Sequence, residues 1–186
     1  MLQQFGFTSG CGEELNLTNP ELVKKVHRAY AEAGANILIT NTFGGMSIKL
    51  KKYGLENKTK EINQAAVRLI REACPNSLIA GDLGPLPEFL EPLGKITFQE
   101  AYDTDREQAE ALKDADMLIV ETMSDIKVLK AALIAARSCF SGPIISSMTI
   151  QDGRTTTGTD IETYVTVAEP LADIIGLNCS DGPEGM

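Results

Sequence analysis

The run Met117-Leu118-Ile119-Val120-Glu121 decides the fold: four consecutive apolar residues, two of them β-branched, end on a carboxylate. A strand that is apolar at every position, instead of at alternate ones, suits a parallel sheet buried on both faces. The same form recurs in Asn36-Ile37-Leu38-Ile39-Thr40-Asn41, Ser77-Leu78-Ile79-Ala80-Gly81-Asp82, Ile144-Ile145-Ser146-Ser147-Met148-Thr149 and Asp173-Ile174-Ile175-Gly176-Leu177-Asn178. Helix patterns with start signals fill the gaps. Asn19-Pro20-Glu21 sets a capping side chain before a proline and an acid, and Leu22, Val23, Val26 and Tyr30 follow at helical spacing. Residues 59–73 carry Ile62, Ala66, Leu69 and Ile70 on one face. Thr97-Phe98-Gln99-Glu100 and Thr159-Asp160-Ile161-Glu162 read as capping boxes, and Ser124-Asp125 opens a helix to about Cys139. This alternation predicts an α/β fold with crossover connections.

Composition narrows the function. The chain has 186 residues and a formal charge of −9, from 17 basic against 26 acidic side chains. Such an acidic surface repels phosphates, so neither nucleic acid nor an anionic membrane is an expected partner. Apolar residues make up 43% and charged residues 23%, a globular balance. No apolar run approaches the roughly 18 residues needed to span a bilayer. The opening MLQQFGFTSG lacks a basic start and an apolar core, so the expected location is cytoplasmic. Cys11, Cys74, Cys139 and Cys179 are widely spaced and form no C-x-x-C pair, so no disulfide framework or local zinc knuckle is signalled.

Four of the five runs end on Asn41, Asp82, Glu121 and Thr149, and Asn178-Cys179 follows the fifth. In a parallel sheet these side chains gather at the strand C-termini, where α/β proteins place ligands. Asn41 and Asp82 carry two readings, a ligand contact or a bond to turn amides. Glu121 is different, because a carboxylate after three apolar residues is buried only when paired or bound. Thr149 reads as structural. Cys74 and Cys139 fall at helix ends where a small apolar residue suffices, whereas Cys179 follows a strand at the pocket face, where a thiolate can ligate a metal or attack. His27, among Val23, Val26 and Tyr30, reads as a structural histidine. Lys49, Lys51, Lys52, Lys58 and Lys60 read as a solvated face. Residues 84–96 and 151–159 read as long loops between a strand and the next helix, without a domain boundary.

With these residues in order, the chain resembles the homocysteine S-methyltransferase family, and within it the homocysteine-binding domain of cobalamin-dependent methionine synthases. The likeness covers nearly the whole chain. It is carried by Asn16-Leu17-Thr18-Asn19-Pro20-Glu21, Tyr30-Ala31-Glu32-Ala33-Gly34-Ala35, Thr40-Asn41-Thr42-Phe43-Gly44, Tyr53-Gly54-Leu55-Glu56, Glu61-Ile62-Asn63, Gly81-Asp82-Leu83-Gly84-Pro85, Val120-Glu121-Thr122-Met123-Ser124-Asp125, Gly153-Arg154-Thr155 and Gly176-Leu177-Asn178-Cys179-Ser180.

The resemblance implies a (β/α)8 TIM barrel, with zinc held by three cysteine thiolates at the strand ends and homocysteine in the open coordination position. It makes Cys179 the candidate first zinc ligand. Glu121, with Asn41 and Asp82, becomes the part of the pocket that receives the amino-acid end of homocysteine. The implied reaction is methyl transfer to the homocysteine thiol, giving methionine, with zinc favouring the thiolate. The methyl donor, methylcobalamin or an S-methyl compound, comes from outside the barrel. Cobalamin therefore enters only through a separate domain or protein, with corrinoid-binding and folate-binding modules as the implied partners.

The likeness also has gaps. Met1-Leu2-Gln3-Gln4 matches residues that follow the family's Asp-Gly-rich first strand, and the Gly-Gly-Cys-Cys pair that gives the other two zinc ligands would lie beyond Met186. Strands begin near residues 37, 78, 117, 144 and 174. At that spacing, about 34 residues on average, eight units need roughly 270 residues, near the usual barrel size of about 250. The expectation is an incomplete barrel of about five parallel strands over 1–186, binding zinc weakly through one thiolate of three. Two alternatives stay open: an open α/β binding protein or inactive fragment without zinc, and a related zinc-thiolate methyltransferase acting on another thiol.

Overall fold

The computed structural model describes residues 1–180 and Gly182. Five parallel strands form one sheet in the order of the chain: β1 Ile37–Ile39, β2 Leu78–Leu83, β3 Met117–Met123, β4 Ile144–Met148 and β5 Ile174–Leu177. Each lies within or next to an apolar run read from the sequence. The helices are α1 Leu15–Thr18, α2 Pro20–Glu32, α3 Ser47–Leu50, α4 Thr59–Ala73, α5 Phe98–Ala111, α6 Ile126–Cys139 and α7 Ile161–Ala168. A sequential strand order is that of a barrel wall, since doubly wound sheets reverse direction part-way.

The helix starts follow from local chemistry. Asn19 accepts from the Leu22 amide with Pro20 at the first helical position, and Asp125 accepts from the amides of Lys127 and Val128. Thr97 and Glu100 form a reciprocal capping box at α5. At α7 the expected box on Thr159 is not the cap. Asp160 takes that place and accepts from Thr163, because its carboxylate reaches the third helical amide while Thr159 is spent one residue outside. The four-residue helices α1 and α3 had no sequence signal, being too short to show a period.

The two faces of the sheet differ sharply. Leu38, Ile79, Leu118, Val120, Ile144 and Met148 point toward the helices and are at most 3% exposed. With Leu129, Leu133, Ile70 and Leu112 they form the main core. The opposite face carries Ile37, Leu78 and Ile174 at 45%, 47% and 52% exposure. Burial on both faces was the expectation, and it fails here for a geometric reason. The five strands form an arc with helices on its outer side, so the inner face stays open at its lower row and outer strands, while Ala80 and Asp82 in its middle are buried. Register places Ile37 beside Leu78, Ile39 beside Ala80, Ala80 beside Met117, and Asp82 beside Ile119 on that inner face. Its lower rows are apolar, and the polar side chains lie at the strand ends.

Candidate functional site

β3 and β4 pair regularly through Val120 and Ser146, then slip, so that Glu121 and Thr122 together oppose Ser147 before Met123 meets Met148. This bulge turns Glu121 into the pocket and puts Thr122 at φ 59°. A β-branched residue there is strained by about 1–3 kcal/mol and persists only where its surroundings hold it. Asn178, just past β5, does the holding. Its Oδ1 accepts from the Thr122 amide at 3.0 Å and from Ser147 Oγ at 2.9 Å. Its Nδ2 donates to Glu121 Oε2 at 2.7 Å and to Thr122 Oγ1 at 2.8 Å. Thr122 Oγ1 also donates to Glu121 Oε2, at 3.1 Å. One amide therefore fixes both the strained backbone and the carboxylate.

Asp82 stands beside Glu121 and is only 3% exposed. Burial, followed by the charge and hydrogen bonding of Glu121, pushes its carboxyl well above the usual range, with Lys49 pulling weakly the other way. Burial and the neighbouring carboxylate thus both favour the protonated form of Asp82. Asp82 Oδ1 has no partner, so the turn-amide reading of this residue does not hold. An acid pair at a strand end has the charge and acceptor chemistry that a cationic donor requires.

Other residues fall differently. Asn41 lies two residues past β1, and its Nδ2 donates to Gly12 O at 2.8 Å and Asn16 Oδ1 at 3.1 Å, tying the N-terminal segment down. No hydrogen bond links it to Glu121 among the described residues. An apolar recess of about 360 Å3 runs between α2 and β1, touching Asn41 at one end and including none of Asp82, Glu121 or Cys179. Thr149 is structural as read, donating to Asn178 O at 3.1 Å. His27 is buried with Nε2 unpartnered, and burial pulls its pKa down to about 4.

Lys49 corrects the reading of a solvated basic face. Its ammonium lies 4.6 Å over the Phe43 ring, and burial lowers its pKa against the pull of Glu13, Asp82 and Asp105. Asp105 itself is fully buried on α5 with both carboxylate oxygens unpartnered. Three residues on, Gln108 bonds to the backbone beside the pocket. Neither had a sequence signal beyond being polar in an amphipathic helix.

Cys179 is exposed, at φ 51°, with Sγ 4.0 Å from Thr122 Oγ1 and 3.9 Å from Asn178 Nδ2. Among the described residues no three His, Cys, Asp or Glu side chains converge to hold a metal. One thiol occupies one vertex of a tetrahedral zinc site, so the donor set present does not fit a complete zinc centre. Among the same residues no helix is long and apolar enough to cross a membrane.

Comparison with known proteins adds three findings. The sequence model of the family described as homocysteine S-methyltransferase matches residues 1–186. Methionine synthases of Mycobacterium tuberculosis and Mycobacterium leprae are each 32% identical over 201 residues, covering 100% of this chain. The chain spans only 17% of the length of these curated relatives. Among solved structures, the homocysteine methyltransferase MmuM from Escherichia coli superposes with a TM-score of 0.86 in its metallated form, at 22% identity, over 100% of this chain and 73% of that one. The carboxyl transferase domain of Rhizobium etli pyruvate carboxylase gives 0.54 at 17% identity, over 84% of this chain and 24% of that one. Both are likenesses of fold.

Proposed function

This chain belongs to the homocysteine S-methyltransferase family, and on that premise we propose that it grips the amino-acid end of homocysteine for methyl transfer to the thiol. The observation that carries this reading is the Asp82–Glu121 acid pair locked by Asn178 one residue before Cys179. An α-ammonium brings three donors and one positive charge. Glu121, part-exposed at the strand end, supplies the charge and the first acceptor, and the buried Asp82 carboxyl beside it backs that position. Anchoring that end orients the sulfur, which is where positioning contributes to rate. In the reaction the sulfur forms its bond to the methyl carbon as the donor–methyl bond breaks, and the thiol proton leaves.

The donor, methylcobalamin or an S-methyl compound, approaches from outside the sheet, and corrinoid-binding or folate-binding modules are the partners that fit. The zinc implied by the family likeness would use Cys179 as one ligand. The described residues offer no others, so no step is assigned through it. That lone thiol favours a second reading for this stretch of chain, amino-acid binding without transfer. Calorimetric titration with L-homocysteine and with its N-acetyl derivative tests the anchor. Binding of the first and not the second is expected, with Glu121→Gln weakening it at least tenfold, and equal binding of both compounds would overturn the reading. Methyl transfer from methylcobalamin by the same sample separates the enzyme from the binding module.

A further inference from the structure

The wall behind Asp82 is a buried polar network with Gln108 at its centre. Gln108 is fully buried on α5, yet its Nε2 faces three oxygens: Thr42 O at 2.7 Å, Asp82 O at 3.1 Å and Asn63 Oδ1 at 3.2 Å. An amide oxygen in that place would meet only acceptors, so the orientation of the side chain is settled by its neighbours. Asn63, also fully buried, passes the connection on, donating to Gly45 O and Thr59 O at 2.7 Å each. The loop is tied to β2 a second time. Thr42 Oγ1 donates to Asp82 O at 2.8 Å, and the Asp82 amide donates to Thr40 Oγ1 at 2.9 Å. The loop after β1, the end of β2, α4 and α5 therefore meet at one side chain, directly behind the residue whose carboxyl pairs with Glu121.

We propose that Gln108 is a positioning residue for the pocket: from α5 it clamps the Asp82 strand end to the 40–45 loop and so sets where the Asp82 carboxyl meets Glu121. All three acceptors lie on other elements, and two of them, Thr42 O and Asp82 O, flank the pocket wall. Removing the amide leaves three buried acceptors competing for water, and the strand end relaxes toward whatever supplies it.

This inference rests on the reading of the acid pair as the ammonium anchor, and two measurements keep the two apart. The first needs no ligand. Titration of the Asp82 carboxyl by 13C NMR in the full chain should give a midpoint well above the usual range, falling in Gln108→Leu as the loosened wall admits water. An unchanged midpoint in a folded Gln108→Leu protein overturns the inference whatever the chain binds. The second is a double-mutant cycle on L-homocysteine affinity. Gln108→Leu is expected to weaken binding about tenfold in the native background and less than about twofold when Asp82 is already Asn, because the effect passes through Asp82. Additive losses would mean a general loosening and would overturn it too. Absence of binding by the unaltered chain strikes the anchor reading alone and leaves the carboxyl titration to decide. If Gln108→Leu does not fold, Thr42→Val removes the second tie at the same carbonyl. It should lower the Asp82 midpoint in the same direction, and no change there refutes the clamp.

Discussion

Replacing Asp105 by Asn should stabilise the protein, and by an amount that grows with pH. Asp105 is fully buried, neither carboxylate oxygen has a partner, and burial pushes its carboxyl up to about 8, against the opposing charge of Lys49. The ordinary value is 3.8, so between about pH 4 and 8 the folded chain keeps a proton that the unfolded chain has released. Folding stability therefore falls as pH rises through that window and levels off above it. At about 1.36 kcal/mol per unit, the loss at pH 7 is about 4 kcal/mol, a large share of a typical folding free energy. Asn has the same shape and no charge, so the substitution removes the titration while leaving the packing in place. The titration of Asp82 is common to both proteins and cancels in the comparison. Urea unfolding at pH 5.5, 7.0 and 8.5 measures the effect. The advantage of Asp105→Asn should widen by about 3–4 kcal/mol across the series, roughly 1–3 M in urea midpoint. A constant offset at all three pH values would refute the reasoning, since it would mean that Asp105 is ionised in the folded state or that something unseen neutralises it.

Three other outcomes follow from the same contacts. Asn178→Ala leaves the Thr122 amide and the Glu121 carboxylate without their shared partner, so it should cost about 2 kcal/mol in urea unfolding and weaken L-homocysteine binding alongside. Tyr164 is buried, with its hydroxyl 3.0 Å from Ser146 Oγ, 2.9 Å from Ser146 O and 3.0 Å from Gly176 O, bracing β4 against β5. Tyr164→Phe should therefore destabilise by about 1–2 kcal/mol without changing the Asp82 carboxyl midpoint. Thiol labelling at pH 8 should reach Cys179 well before Cys11, which is buried and pushed up to about 11, and the same chain should take up zinc weakly and lose that uptake in Cys179→Ser. Tight one-to-one zinc binding contradicts the lone-ligand assignment.

The fold was legible because its main signal is one-dimensional. A strand buried on at least one face by a helix layer shows as a short apolar run, and each of the five runs sits on a strand of the parallel sheet. The strand order and the open inner face were harder to read. Exposure of Ile37, Leu78 and Ile174 depends on what lies across the arc, and an apolar run looks alike with or without a cover. The N-cap at α7 slipped by one residue because Thr159 and Asp160 both offer an oxygen, and only three-dimensional reach chooses between them.

The site was legible in part for the same reason. Glu121 and Cys179 stand out because a carboxylate and a thiol interrupt or close an apolar run, a contrast visible in the chain itself. Gln108, Asp105 and Lys49 do not, since each is a polar residue in a segment where polar residues are ordinary. Their importance comes from facing inward, and only packing shows that. Asn178 lies between the two cases: it was visible beside Cys179, but its role is to support Glu121, 57 residues away. That double placement has a mechanical consequence. Asn178 holds the carboxylate that is proposed to take the ammonium, and the next peptide carries the thiol, so any shift of the β5 end moves the two together. The distance between an anchored ammonium and Cys179 is therefore set largely by one residue's backbone, while Gln108 fixes the opposite wall through Asp82. With a metal on Cys179 to take the substrate sulfur, a pocket built this way would select the length of the chain between amine and sulfur. In the presence of zinc, L-homocysteine should accordingly bind more tightly than L-cysteine, one methylene shorter, and equal affinity for the two would show that the amine and the sulfur are not held by the same rigid frame.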